Sequence, residues 1–125
     1  MSLFIYGDLE KEVDFTDVYF IEEVEKANIR MQNKTKSIPA TGKKTDLVKK
    51  QIEILDTFFD DILGEGASKL MFGDSGSALK RAQAFNSLQD LSVVQNSEVD
   101  SLMSSFRPKK DRQKPNAVYN PKNRR

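Results

Sequence analysis

The first fifteen residues contain two short apolar segments, the second of which alternates between apolar and polar positions. Within Leu9–Phe15 most odd-numbered positions are apolar and every even-numbered position is acidic. This period of two is typical of a half-buried strand, and the Gly7-Asp8 pair suits a tight turn after the apolar segment Leu3–Tyr6. The pattern predicts a short N-terminal β-hairpin, which must pack on other elements because an isolated hairpin is marginally stable in water.

Beyond the hairpin, apolar positions recur every three or four residues, which is the spacing of amphipathic helices. We predict three or four helices, over residues 17–32, 46–63, 67–72 and 77–106. Thr16 is placed to cap the first helix, with Asp17 in its first turn. Together these elements predict a mostly α fold, a small helical domain with a short N-terminal β-hairpin.

The last predicted helix has a long apolar repeat with one interruption. Its first part carries an apolar stripe at Leu79, Ala82, Phe85, Leu88, Leu91 and Val94. Polar residues then surround Asn96, after which the apolar pattern resumes at Val99, Leu102, Met103 and Phe106. The pattern is compatible with one long helix that is weak near Asn96 or with two separate helices.

The predicted 46–63 helix is apolar over about half of its circumference when its residues are placed at 100° steps. A helix that faces a single small core needs an apolar arc of only about 100°. We therefore expect this helix to lie between neighbours, either within the domain or in an oligomer.

The segment FFDDILGEGASKLMFG, residues 58–73, brings Asp60, Asp61 and Glu65 close together in sequence. Adjacent carboxylates can bind a hard cation or share acid–base chemistry. Asp60 and Asp61 also continue the polar stripe of the preceding helix, and Gly64 lies where a residue in the left-handed conformation would end that helix. We interpret the carboxylates as a solvated helix edge, with a divalent-cation site as the minor alternative.

Charge divides the chain into two unequal parts. Residues 1–106 carry 12 Lys/Arg and 18 Asp/Glu and residues 107–125 carry 8 and 1, so their net charges are −6 and +7. The basic part contains three prolines and few apolar side chains, a composition that cannot offset its ordering entropy. We predict a helical domain over 1–106 and a disordered basic tail over 107–125. Because such a tail can contact phosphate backbones, a small nucleic-acid-binding regulator is an alternative function.

The chain contains no cysteine and no histidine. Their absence excludes disulfides, thiolate or imidazole metal sites and Ser-His catalytic triads. No apolar run approaches the roughly 18 residues of a membrane span, and the N-terminus lacks the features of a signal peptide. We expect a soluble intracellular protein that is not an enzyme and has no metal, cofactor or membrane partner.

Three blocks of sequence carry a family resemblance. They are VDFTDVYFIEEVEKA (Val13–Ala27), FFDDILGEGASKLMFG (Phe58–Gly73) and YNPKNRR (Tyr119–Arg125). In this order they resemble tail assembly chaperones of long-tailed (siphovirus-like) phages and prophages of Gram-positive bacteria. In that family an FFD motif, a hydrophobic pair and a GEGxxxKLFG motif join two helices.

The resemblance implies a helical chaperone of virion morphogenesis that acts in the cytoplasm of the bacterial host and is absent from the finished virion. Such proteins bind and solubilise the tape measure protein until tail tube subunits assemble around it. The implied partners are the tape measure protein, further copies of the chain in a homo-oligomer and, as an additional candidate, the tail tube protein. We do not expect nucleic acid to be a partner, because residues 1–106 are acidic. The expected partner-binding residues are Phe58, Phe59, Leu70, Met71 and Phe72.

Overall fold

The N-terminal hairpin is present in the computed structural model, which describes residues 2–106. Strands β1 (Ser2–Tyr6) and β2 (Leu9–Val13) pair antiparallel, with Tyr6 opposite Leu9 across a two-residue turn. Gly7 occupies the first turn position with φ 59°, the positive angle that tight hairpin turns require there. The strand alternation places Phe4 in the core while Leu3 and Ile5 face outward.

Within residues 2–106, four helices follow the hairpin and confirm the predicted mostly α fold. They are α1 (Val18–Lys36), α2 (Lys44–Leu63), α3 (Ala67–Phe72) and α4 (Ala78–Ser104). Helix α1 runs four residues further than predicted, and α4 continues without a break past Asn96. The cap of α1 is Asp17, whose carboxylate accepts the Phe20 N–H at 3.0 Å. The predicted cap, Thr16, instead donates to Asp14 in the turn that ends β2.

Helix α2 lies at the centre of the domain, as its wide apolar face predicts. It contacts α1, α3 and α4, while the hairpin packs on α3 and α4. The core consists of Phe4, Leu9, Val13, Ala27, Phe58, Phe59, Ile62, Leu63, Ala67, Met71, Phe72, Ala84 and Leu88. Phe59 is completely buried, and full burial of a side chain of this size stabilises a fold by about 1.5–3 kcal/mol. The C-terminal half of α2, with Phe58, Phe59, Ile62 and Leu63 buried, therefore lies in the domain interior, one of the two expected environments.

Two sequence-based expectations concern other parts of the molecule. The predicted disordered tail, 107–125, lies outside the described residues. Within residues 2–106, none of the helices combines the length and apolar character needed to cross a membrane.

Candidate functional site

The FFDDILGEGASKLMFG segment forms the joint between α2 and α3, and its aromatic side chains face the core. Phe58, Phe59, Met71 and Phe72 have exposed fractions of 4%, 0%, 5% and 7%, whereas Leu70 is 49% exposed. The Phe59 and Phe72 rings lie 5.5 Å apart between centroids. Four of the five predicted partner-binding side chains are thus used within the domain. Among the five, Leu70 alone is accessible to a partner in the folded domain.

Two glycines allow the sharp turn at this joint. Gly64 has φ 109° and ψ 154°, and Gly66 has φ 84° and ψ 1°. Residues with a Cβ rarely adopt either conformation. Gly64 has the positive φ of the predicted left-handed conformation, but its ψ is extended, so the prediction is confirmed only in φ. The left-handed helical conformation itself occurs at Gly66, immediately before α3.

The acidic side chains of the joint make structural contacts. Asp60 Oδ1 accepts the backbone N–H of Ser68 at 2.8 Å and so satisfies a free donor in the first turn of α3. Asp61 forms an ion pair with Arg30 at 3.2 Å, which links α2 to α1. Asp60 is half-buried, so for this residue the interpretation as a solvated edge is wrong. Among residues 2–106, no three or more acidic side chains converge to form a potential metal site.

Arg81, which the sequence reasoning did not single out, is a buried cation that connects three segments. Its Nε and Nη2 donate to the two carboxylate oxygens of Asp56 on α2 at 3.0 and 3.3 Å. Its Nη1 donates to the carbonyl oxygens of Ser75 and Ser77 at 2.6 and 3.1 Å. The guanidinium carbon lies 4.4 Å from the centre of the Phe72 ring. These contacts fix the start of α4 against α2 and α3.

Gln95 performs a similar task at the opposite end of the hairpin. Its Oε1 accepts the Phe15 N–H at 2.7 Å, and its Nε2 donates to the Val13 carbonyl at 2.8 Å. The amide group thereby satisfies both backbone groups where β2 passes into α1. Gln95 is buried, so these two hydrogen bonds position the hairpin on α4.

The turn before α1 also contains the one carboxyl group among residues 2–106 with a resolved pKa shift. The Thr16 hydroxyl, and then the Thr16 backbone N–H, donate to Asp14 and hold the pKa of its carboxyl below the ordinary value. Both hydrogen bonds favour the charged carboxylate. The shift is accounted for by a turn and does not indicate acid–base chemistry.

An apolar groove opens between the end of α1, the middle of α2 and the start of α4. Its volume is about 740 Å³. The apolar side chains that line it are Met31, Ile38, Ile54, Leu55, Ala78, Leu79 and Ala82. Leu79 is 67% exposed, so the groove is open to solvent. We call this feature the groove, and it is the best-formed candidate for partner binding on the domain.

The groove changes the interpretation of the predicted α4 stripe. Leu79 and Ala82 face the groove, and Val94 is exposed. The buried positions of α4 are Arg81, Ala84, Leu88 and Gln95. The predicted stripe is therefore wrong at both ends, because two polar residues occupy the core-facing positions there.

Basic side chains lie beside the groove. Lys36 lines it directly. An adjacent depression, which shares Ile38 and Ile54 with the groove, is lined by Lys34 and Lys50 and by a single acidic residue, Glu53. All three lysines are exposed. The rim therefore favours a ligand that combines apolar side chains with negative charge.

The C-terminal end of α4 extends beyond the domain. Every residue from 96 to 106 is exposed, including Val99, Leu102, Met103 and Phe106. Within 2–106 nothing packs on this part of the helix. We call residues 96–106 the overhang.

Comparison with known proteins assigns the chain to a family without assigning an activity. Residues 7–120 match a protein family described as a family of unknown function (DUF6673). No curated protein and no solved structure matches the chain significantly. Since the match spans most of the sequence, the chain belongs to the DUF6673 family.

Proposed function

We propose that this protein is a tail assembly chaperone of a long-tailed phage, which binds and solubilises the tape measure protein while the tail tube assembles. The proposal combines the resemblance of the three sequence blocks with one structural observation, the open apolar groove. A chaperone of this kind needs a surface that holds an amphipathic helix reversibly, without chemistry.

The groove has the properties of a helix-binding surface. Helix-in-groove recognition places the apolar face of an amphipathic helix into an apolar trough, with anchor residues spaced three or four positions apart. The trough here is built from three helices, so its walls are rigid, and apolar side chains from all three line it. Its occupant would therefore be an apolar helical segment of the tape measure protein.

The lysine rim adds a preference for acidic flanks on that segment. Attraction between exposed charges acts mainly on the association rate and is screened by salt. Binding through the groove should thus persist at high salt because of its apolar contacts, while associating more slowly.

A non-catalytic role is also supported by how the acidic side chains are used. Asp56 pairs with Arg81, Asp60 caps α3 and Asp61 pairs with Arg30. Each of these three carboxylates thus has a structural role in the fold. The groove, in contrast, is an apolar surface that is accessible to a partner.

Titration of labelled peptides tests the proposal. Amphipathic helical segments of a phage tape measure protein would be titrated with the full chain, and binding followed by fluorescence anisotropy. We expect Leu79→Asp, which places a charge in the groove at an exposed position, to weaken binding about tenfold or more. The matched control is Ile29→Asp, since Ile29 is exposed on α1 but does not line the groove. Equal binding by both variants would refute the role of the groove.

A nucleic-acid-binding regulator is the second candidate, because lysines cluster around the α1–α2 connection. The exposed members are Lys34, Lys36, Lys43, Lys44, Lys49 and Lys50. Phosphate contacts of this kind give strongly salt-dependent binding. Gel retardation of duplex DNA at physiological salt separates the candidates: the chaperone proposal predicts no retardation, and tight retardation would favour the regulator.

A further inference from the structure

We propose that the overhang of one copy docks in the groove of a second copy of this chain. The contact would be an interface between copies that forms when no tape measure segment occupies the groove, so the two ligands would compete for the same surface. The inference starts from the helical phase of α4. Its buried positions Ala84, Leu88 and Gln95 recur every four or seven residues, and Val99 and Leu102 continue the same face at the same spacing.

The overhang therefore carries the core-facing stripe of α4 past the point where the domain ends. Leu102 is 64% exposed and Met103 50%, an unusual exposure for a continued core face. An apolar stripe on a helix is complementary to an apolar groove between helices, so the overhang fits the groove of another copy.

Charge complementarity supports this pairing of surfaces. The overhang contains two charged residues, Glu98 and Asp100, and both are acidic. At 100° per residue they flank the apolar stripe on its two sides. The groove and the depression beside it are bordered by three basic residues, Lys34, Lys36 and Lys50, and by one acidic residue, Glu53, so basic charge predominates. An acidic-edged stripe and a basic-edged trough attract each other, whereas two overhangs facing each other would bring like charges together.

The geometry of α4 requires the occupant to come from another chain. Leu79 in the groove and Leu102 in the overhang lie on one continuous helix, so they are separated by about 35 Å at 1.5 Å per residue. The overhang cannot fold back into its own groove without breaking α4. A second copy supplies the same segment without distortion.

Because the two surfaces differ, a complementation experiment identifies the contact. Sedimentation equilibrium of the full chain should show a mass that rises above the 14.2 kDa of one copy as concentration increases. Leu102→Asp and Leu79→Asp should each weaken association about tenfold or more. An equimolar mixture should recover association, since one variant keeps an intact groove and the other an intact overhang. Ser97→Asp, on the opposite side of α4, should associate like the wild type.

Other outcomes would overturn the inference. Loss with Leu102→Asp alone would indicate contact between overhangs, and loss with Leu79→Asp alone would indicate contact between grooves. A wild-type chain that stays monomeric at all concentrations, or a mixture that fails to recover, would also contradict it. Circular dichroism of each variant confirms that the fold is retained, as both positions are exposed.

Cross-linking provides a second measurement, which the absence of native cysteine makes specific. Mixed Leu79→Cys and Leu102→Cys chains should form a disulfide-linked pair under mild oxidation, in greater yield than Leu79→Cys with Ser97→Cys. Preferential linkage of Leu79→Cys to Val118→Cys would identify the 107–125 segment as the occupant and overturn the inference. Leu102→Asp leaves the groove intact. A loss of self-association in this variant can therefore be distinguished from a loss of tape measure peptide binding.

Discussion

Replacement of Gly7 by alanine is expected to detach the hairpin from the helices. A Cβ on Gly7 would lie 2.3 Å from the carbonyl oxygen of Met71 and 2.9 Å from that of Leu70. Both obstacles are backbone atoms, so side-chain rotation cannot relieve the overlap. The hairpin turn would have to move away from α3.

The magnitude follows from three contributions. The positive φ of 59° at Gly7 costs an L-residue about 1–2 kcal/mol. Moving the turn breaks the hydrogen bond from the Asp8 N–H to the Leu70 carbonyl, 2.9 Å long, which contributes about 1 kcal/mol. Strain from overpacking typically adds about 1–3 kcal/mol. We expect Gly7→Ala to lower the free energy of unfolding by about 3–6 kcal/mol, a large share of the 5–15 kcal/mol typical of a domain.

Gly66→Ala is the matched control, because Gly66 has φ 84° and no atom within 4 Å of its Cβ position. Gly66→Ala places an L-residue at positive φ but causes no overlap with other atoms, so we expect it to lower the free energy of unfolding by about 1–2 kcal/mol. Urea unfolding followed by circular dichroism measures both values, and amide hydrogen exchange of residues 2–13 reports whether the hairpin detaches locally. Equal destabilisation by the two variants would refute the close packing of the turn on α3.

Three further variants test the buried polar contacts. Arg81→Met should lower the free energy of unfolding by about 3 kcal/mol because it leaves the Asp56 carboxylate unpaired, and the double variant with Asp56→Leu should recover part of that loss in urea unfolding. Gln95→Leu should cost about 1–3 kcal/mol by leaving two backbone groups of the strand–helix junction without partners, and a neutral result would contradict the observed hydrogen bonds. Thr16→Val should raise the pKa of the Asp14 carboxyl, measured by NMR titration. Since the folded-state pKa of the Asp14 carboxyl is lowered, its stabilising contribution exists above pH 3.8, the ordinary value, and is lost as the pH falls through the folded-state pKa. The difference in free energy of unfolding between the wild type and Thr16→Val should therefore shrink as the pH falls.

The order and type of the elements were predictable because each has a local cause. The alternation before Phe15 produces the hairpin, the wide apolar face of α2 places it at the centre, and Gly64 ends it. Each of these features depends on residues that are close in sequence, so the local sequence pattern is sufficient to predict it.

The buried polar residues and the location of the groove were not predictable in the same way. Arg81 and Gln95 lie on the same face of α4 as the buried Ala84 and Leu88. This shared face was the one signal in the sequence that indicated their burial. A pattern that counts only apolar residues as buried places both on the surface. Their burial depends on Asp56 and on the backbone of the hairpin, which are distant in sequence. Because Arg81 takes a core-facing position, Leu79 is turned outward and lines the groove.

The burial of the side chains at the joint was not predictable for a related reason. Phe58, Phe59, Met71 and Phe72 form an apolar cluster in sequence, and such a cluster is compatible with either an interface or a core. The positive φ at Gly64 and Gly66 folds the two halves of the segment onto one another, and the aromatic side chains then pack together.

Co-expression of the chain with the tape measure protein of a long-tailed phage tests the proposed function most directly. The quantity measured is the fraction of tape measure protein that stays soluble and co-purifies with the chain, for the wild type, Leu79→Asp and Ile29→Asp. The account predicts a high soluble fraction with the wild type and with Ile29→Asp, and a strongly reduced one with Leu79→Asp. A tape measure protein that precipitates alongside the wild-type chain, or that is equally soluble with Leu79→Asp, would contradict it.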